Sequence, residues 1–171
     1  MLRVDLGALR MGPVETRAEV SSDDPMLSDL DVAFAAPVRV EGRLTESGSD
    51  DFLWNAAIRT TVTQACRRCL APVAVEVAAD VQVLLTDGDM GDDPSTYPIP
   101  ADGQELELGD IIREELILAL PSYVLCREDC RGLCARCGKE LNEGPCDCRP
   151  EPDPRWAALE ELRTRLPDKE S

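Results

Sequence analysis

Eight cysteines and no histidine define the chemistry open to this 171-residue chain. Six of them run as Cys126-x3-Cys130-x3-Cys134-x2-Cys137-x8-Cys146-x-Cys148, and a separate pair, Cys66-Arg-Arg-Cys69, lies far upstream. A metal site here would be built from thiolates, and closely spaced thiolate pairs are what tetrahedral Zn2+ takes. Eight thiolates complete two four-cysteine sites. The rival readings are a disulfide framework and an iron–sulfur cluster held by the same sulfurs.

Compartment bears on that choice. The first ten residues show no basic segment followed by an apolar run, so no secretory signal is expected. No stretch approaches the roughly 18 apolar residues of a membrane span. The expectation is a cytoplasmic chain whose reduced thiols bind metal.

Cys134-Ala-Arg-Cys137-Gly138 is the strongest local signal. Two cysteines three apart chelate one ion from a tight turn, and the glycine permits a positive φ after the second. Amides of such a turn can point at the sulfurs and steady their charge. Cys146 and Cys148, following the Gly144-Pro145 turn, are placed to close that tetrahedron, leaving Cys66, Cys69, Cys126 and Cys130 as a second set. The competing assignment groups Cys126, Cys130, Cys134 and Cys137. Either way all eight cysteines are candidate ligands of structural zinc. Saturated sites leave no open position for a catalytic water. With no histidine base and no glycine-rich phosphate cradle, no catalytic residue is assigned.

The elements that must position these thiols are mostly strands. Apolar and polar residues alternate in Val14–Val20, Val38–Leu44, Phe52–Thr63 and Val73–Leu85. Such alternation predicts antiparallel sheet with one solvated face, either open or barrel-like. Cys66 and Cys69 fall at the tip between the last two strands. A redox C-x-x-C would open a helix, but Leu70-Ala71-Pro72 leads into alternating valines. Leu108–Leu120 has helical spacing and is stopped by Pro121, so it should lie on the sheet and deliver Cys126. Asp153 and Pro154 open a short amphipathic helix carrying Trp156, Leu159, Leu162 and Leu166.

The expected class is thus α+β, with a β-rich part over residues 1–121 and a cysteine-rich part with a terminal helix over 122–171. Within the first, residues 86–103 read as a mobile acidic linker. Asp87, Asp89, Asp92 and Asp93 there do not make a calcium loop, because Asp92 stands at the turn-glycine position and Pro98 where the bidentate Glu belongs.

Charge limits the partners. The chain has 34 acidic and 18 basic side chains, a formal −16, and two zinc–thiolate sites would take this to roughly −20. Tight nonspecific nucleic-acid binding needs the opposite sign, so DNA is not an expected partner. Six scattered aromatics make no base-stacking platform. A basic protein fits better.

Three stretches together resemble the YceD family of bacterial and plastid proteins: Cys66-Arg-Arg-Cys69-Leu70, then Arg113-Glu-Glu-Leu-Ile-Leu-Ala-Leu-Pro121, then Leu125 to Gly138 with Leu141-Asn142 and Cys146-x-Cys148. The resemblance covers about Val38 to Leu166. It implies a non-enzymatic ribosome biogenesis factor needed for large-subunit (23S) rRNA accumulation. Its expected partner is a basic ribosomal protein or a large-subunit precursor. In the cysteine-rich part, Arg127, Arg131, Arg136, Lys139 and Arg149 are offset by Glu128, Asp129, Glu140, Glu143 and Asp147, a poor grip on RNA. The other classes weighed are a zinc-stabilised adaptor unrelated to ribosomes and a thiol oxidoreductase.

Overall fold

A computed structural model describes residues 2–9, 11–48, 51–88, 93–99, 105–148, 154–156, 159 and 162. The strands in chain order are Arg3–Asp5 (β1), Val14–Val20 (β2), Ala33–Phe34 (β3), Val38–Glu46 (β4), Asp51–Ala65 (β5), Pro72–Thr86 (β6), Thr96–Pro98 (β7) and Glu105–Glu107 (β8). The helices are the single turn Leu6–Leu9 (α1) and Gly109–Ala119 (α2). The chain divides into two compact units, Met1–Cys130 and Arg131–Ser171.

The alternating segments became the long strands, and they pair in the order β2-β4-β5-β6-β7. All of those pairings are antiparallel except β6–β7, which is parallel. β5 and β6 run together through fifteen register pairs, from Asp51↔Thr86 to Ala65↔Pro72. β3 and β4 share one edge of β5, separated by a bulge. Across it the amides of Ala35 and Ala36 both reach the Thr61 carbonyl, and Pro37, with no amide hydrogen, closes the break.

The sheet does not close into a barrel, so that expectation is corrected. Its path runs from β2 to β7, which do not pair with each other. The inner face is covered by other elements instead. Ile111, Ile112 and Leu116 of α2, with Val4 of β1, Leu106 of β8 and Leu108, join the sheet residues Val40, Leu44, Trp54, Ile58, Val62, Val81, Val83 and Leu85 in one core. Trp54 is fully buried and donates its indole N–H to Thr16 Oγ1 at 3.0 Å.

The outer face keeps the polar half of the alternation. The register sets Glu15 beside Arg43, Arg17 beside Glu41 and Glu19 beside Arg39, and all three form ion pairs. Arg59 pairs with Asp80. Each exposed pair stabilises by at most about 1 kcal/mol, so their main effect is to cancel charge across the face.

Within the segment expected as a linker, Thr96–Pro98 forms β7. Tyr97 packs on the core and donates to Glu114 Oε2 at 2.8 Å. Of the helix expected after Asp153, the structure describes a 3-10 turn, Pro154–Trp156, and helical backbone at Leu159 and Leu162. Trp156, Leu159 and Leu162 are exposed. The remainder of that expected helix lies outside the described residues. No helix among the described residues is long and apolar enough to cross a membrane.

Candidate metal centres

The β5–β6 hairpin carries its tip beyond the well-packed part of the sheet. Val81 and Val83 of β6 are buried, whereas Val73 and Val75, nearer the tip, are only half-buried. The chain turns there through Cys66 to Ala71. The Cys66 amide bonds to the Ala71 carbonyl at 2.8 Å, and the Leu70 amide to the Cys66 carbonyl at 2.9 Å. Leu70 sits at φ 62°, the left-handed region that an L side chain enters at a cost of about 1 kcal/mol or more.

The segment after α2 returns to this tip. The Arg67 amide bonds to the Val124 carbonyl at 2.9 Å, and Arg68 Nη1 reaches the carbonyls of Glu128 (3.2 Å) and Cys130 (2.9 Å). These ties bring Cys126 and Cys130 over Cys66 and Cys69. The Cys66–Cys130 sulfurs lie 3.9 Å apart and the Cys69–Cys126 sulfurs 3.6 Å. Cys66, Cys69 and Cys130 are buried and Cys126 is exposed.

The second unit repeats the turn. The Cys134 amide bonds to the Lys139 carbonyl and the Gly138 amide to the Cys134 carbonyl, each at 2.9 Å, with Gly138 at φ 71°. Around it, Leu133 bridges Glu140, the Leu141 amide bonds to the Gly132 carbonyl, and Asn142 Oδ1 accepts from the Arg131 amide at 2.8 Å. Lys139 Nζ holds the Pro145 carbonyl at 2.9 Å, just ahead of Cys146. The four sulfurs of Cys134, Cys137, Cys146 and Cys148 lie within 4.8 Å of one another, as do those of Cys66, Cys69, Cys126 and Cys130.

The sulfurs therefore gather in the two sets that short segment paths favoured, not in a single set of Cys126, Cys130, Cys134 and Cys137. All eight cysteines are free thiols, and the sulfur separations are far beyond a disulfide's roughly 2.05 Å. They do suit a tetrahedral ion: with zinc–sulfur bonds of about 2.3 Å, the edge of a tetrathiolate is about 3.8 Å.

Electrostatics within each set points the same way. The Cys69 and Arg68 amides hold the Cys66 thiol down to about 6, while the neighbouring Cys130 and Cys69 sulfurs push Cys126 up to about 12. The amides of Cys137 and Arg136 likewise hold Cys134 down to about 6, and Cys137 pushes Cys148 up to about 12. Four sulfurs this close cannot all carry negative charge alone, and a bound divalent cation removes that conflict.

The thiols are legible in the sequence, whereas Arg68 and Asn142 stand there only as motif positions without a role. Arg68 was legible only as one of two basic residues inside a cysteine pair, since carbonyls some sixty positions away define its role.

The family profile described as "Large ribosomal RNA subunit accumulation protein YceD" matches residues 54–163, spanning the hairpin, α2 and both cysteine sets. The chain belongs to the YceD family. An uncharacterized protein of Mycobacterium tuberculosis is 29% identical over 153 residues, covering 84% of this chain and 65% of the relative. Two plant proteins are named large ribosomal RNA subunit accumulation protein YCED homolog 1, chloroplastic. The Arabidopsis thaliana protein is 26% identical over 66% of this chain and 44% of its own length, and the Zea mays protein 26% over 74% and 49%. This YceD chain thus spans under two thirds of the length of these relatives. No solved structure matches it.

Proposed function

We propose that this protein is a non-catalytic assembly factor supporting accumulation of large-subunit (23S) rRNA. In this reading it works in the cytoplasm and docks on a basic ribosomal protein or a large-subunit precursor. The carrying observation is the YceD match across residues 54–163, together with the large-subunit rRNA role in the names of the plant relatives.

The charge distribution favours a basic partner. The sheet's outer face is largely self-compensated by its ion pairs. Acid is concentrated in two stretches, Asp23, Asp24, Asp29 and Asp31 within residues 21–32 and eight carboxylates within residues 86–110; neither stretch contains a base, and of these Asp29 is paired with Arg113 and Glu105 and Glu107 with Arg3. A lysine- and arginine-rich surface would be steered to these stretches.

Two structural zinc ions complete this reading, one in each tetrathiolate, with Cys66, Cys69, Cys126 and Cys130 as one ligand set and Cys134, Cys137, Cys146 and Cys148 as the other. The first fastens the hairpin tip to the segment after α2. The second holds the turn at Cys134–Lys139. Full occupation by protein sulfur makes each ion a brace and leaves water no position on it.

Depletion of the protein from its host, followed by sucrose-gradient analysis, tests the role. The expected result is a fall in 23S relative to 16S rRNA, with the tagged protein sedimenting alongside large-subunit precursors at low salt. An unchanged rRNA ratio with the protein at the top of the gradient would overturn it. Zinc is tested separately: two ions per reduced chain are expected, falling to one in Cys66→Ser.

A further inference from the structure

We infer that the Cys134, Cys137, Cys146 and Cys148 set is a site of reversible thiol oxidation, at which a peroxide expels the metal while the Cys66, Cys69, Cys126 and Cys130 set keeps its own. The inference rests on the zinc reading above and assigns different chemistry to its two sites.

The two sets share a ligand type and differ in what surrounds them. In the first, Cys66, Cys69 and Cys130 are 0%, 7% and 2% exposed, and Cys126 alone faces water. Two of its ligands sit on a fifteen-pair hairpin whose strands form the core, and Arg68 ties the other arm to it through two carbonyls. A ligand that loses the metal there is still held in place by the fold. In the second set no sulfur is buried, and Cys137 is exposed. Among residues 131–148 only Gly132 is buried, and none of them belongs to the hydrophobic core. Backbone and side-chain hydrogen bonds hold the turns that carry those four sulfurs. Oxidation susceptibility rises with exposure, and exposure favours the second set.

The chemistry balances without further partners. An exposed thiolate attacks the peroxide O–O bond, which breaks to give a sulfenic acid and, with one proton, water. A neighbouring thiolate then attacks that sulfur, the S–O bond breaks, and a second water leaves as the disulfide forms. All four sulfurs lie within 4.8 Å of one another, so each has a partner in reach. Two such events oxidise four thiolates and reduce two hydrogen peroxides. They take up four protons and release four waters and Zn2+. A dithiol reductant reverses both disulfides and restores the ligands.

The full-length, reduced, zinc-loaded chain tests this directly. Hydrogen peroxide is added while a chromophoric chelator follows zinc release, and differential alkylation with mass spectrometry locates the oxidised cysteines. One zinc should leave about tenfold faster than the other, with oxidation confined to Cys134, Cys137, Cys146 and Cys148. The far-ultraviolet sheet signal should persist, and dithiothreitol plus zinc should restore two ions per chain. Release of both ions at one rate, first oxidation at the Cys66 set, or failure of dithiothreitol and zinc to restore the ion would overturn the inference while leaving two structural zincs intact as a reading. Fewer than two zincs in the starting reduced protein would overturn the zinc reading, and the inference with it.

Discussion

Leu70 and Gly138 occupy the same place in two copies of one turn, at φ 62° and 71°. Only glycine takes this conformation without steric cost. A Cβ on Gly138 meets nothing within 4 Å, so Gly138→Ala should destabilise the second turn through the backbone alone, by about 1 kcal/mol. Weaker zinc retention in a chelator competition would register it. Leu70 is 64% exposed, so Leu70→Gly removes little packing. That change should stabilise the sheet unit by about 0.5–1 kcal/mol in urea unfolding, the relief of backbone strain exceeding glycine's extra freedom when unfolded. Tyr97 gives a pH signature. Burial and the adjacent Glu114 carboxylate raise its phenol from 10.0 to about 12. Because the folded value lies above the unfolded one, its contribution is complete below pH 10 and is lost as pH rises toward 12. Tyr97→Phe should therefore lower stability by about 1 kcal/mol at pH 8 and flatten the alkaline limb of the stability curve.

At the scale of elements, the alternating runs fixed four strands closely, because one buried face imposes a period of two. Their ends were less legible: β5 and β6 extend to Ala65 and Pro72, closer to the cysteine pair than the apolar pattern reached. The short strands β1, β3, β7 and β8 had no pattern to read, as two or three residues cannot show a period. Gly42 lies in the middle of β4, where glycine ordinarily weakens a strand. It is required by its neighbours: an added Cβ would lie 2.7 Å from Ala56 Cβ and from the Asn55 carbonyl, and 2.9 Å from Thr16 Oγ1. Thr16 is the acceptor for the buried Trp54 indole, so Gly42→Ala should disturb that bond as well as the β4–β5 spacing. A loss of about 2–3 kcal/mol, read by thermal or urea unfolding with Trp54 fluorescence, is expected from overpacking of this kind.

For the whole molecule, the boundary after Cys130 divides the eight candidate ligands four and four. Among the described residues every member of the hydrophobic core lies in the first unit, and residues 131–148 have no buried apolar side chain. A chain ending after Cys130 should therefore fold, show the far-ultraviolet signal of the sheet and bind one zinc. Chelation of the intact protein should abolish order in residues 131–148 while β2, β4, β5 and β6 survive, as amide exchange would record. Apparent zinc binding worth about 10–16 kcal/mol in small peptides is comparable to a domain's whole stability, and residues 131–148 have no buried apolar side chain to set beside it.

The sequence by itself determined the candidate thiol ligands, the strands that alternate, the helix that ends before Pro121 and the family, since composition, periodicity and local motifs express these within short windows. The tertiary structure decided which cysteines meet, because that depends on a hairpin tip and a segment nearly sixty residues later sharing one place. It also decided that the sheet stays open, for α2 and the β1–β8 ribbon cover the face that closure would otherwise have buried.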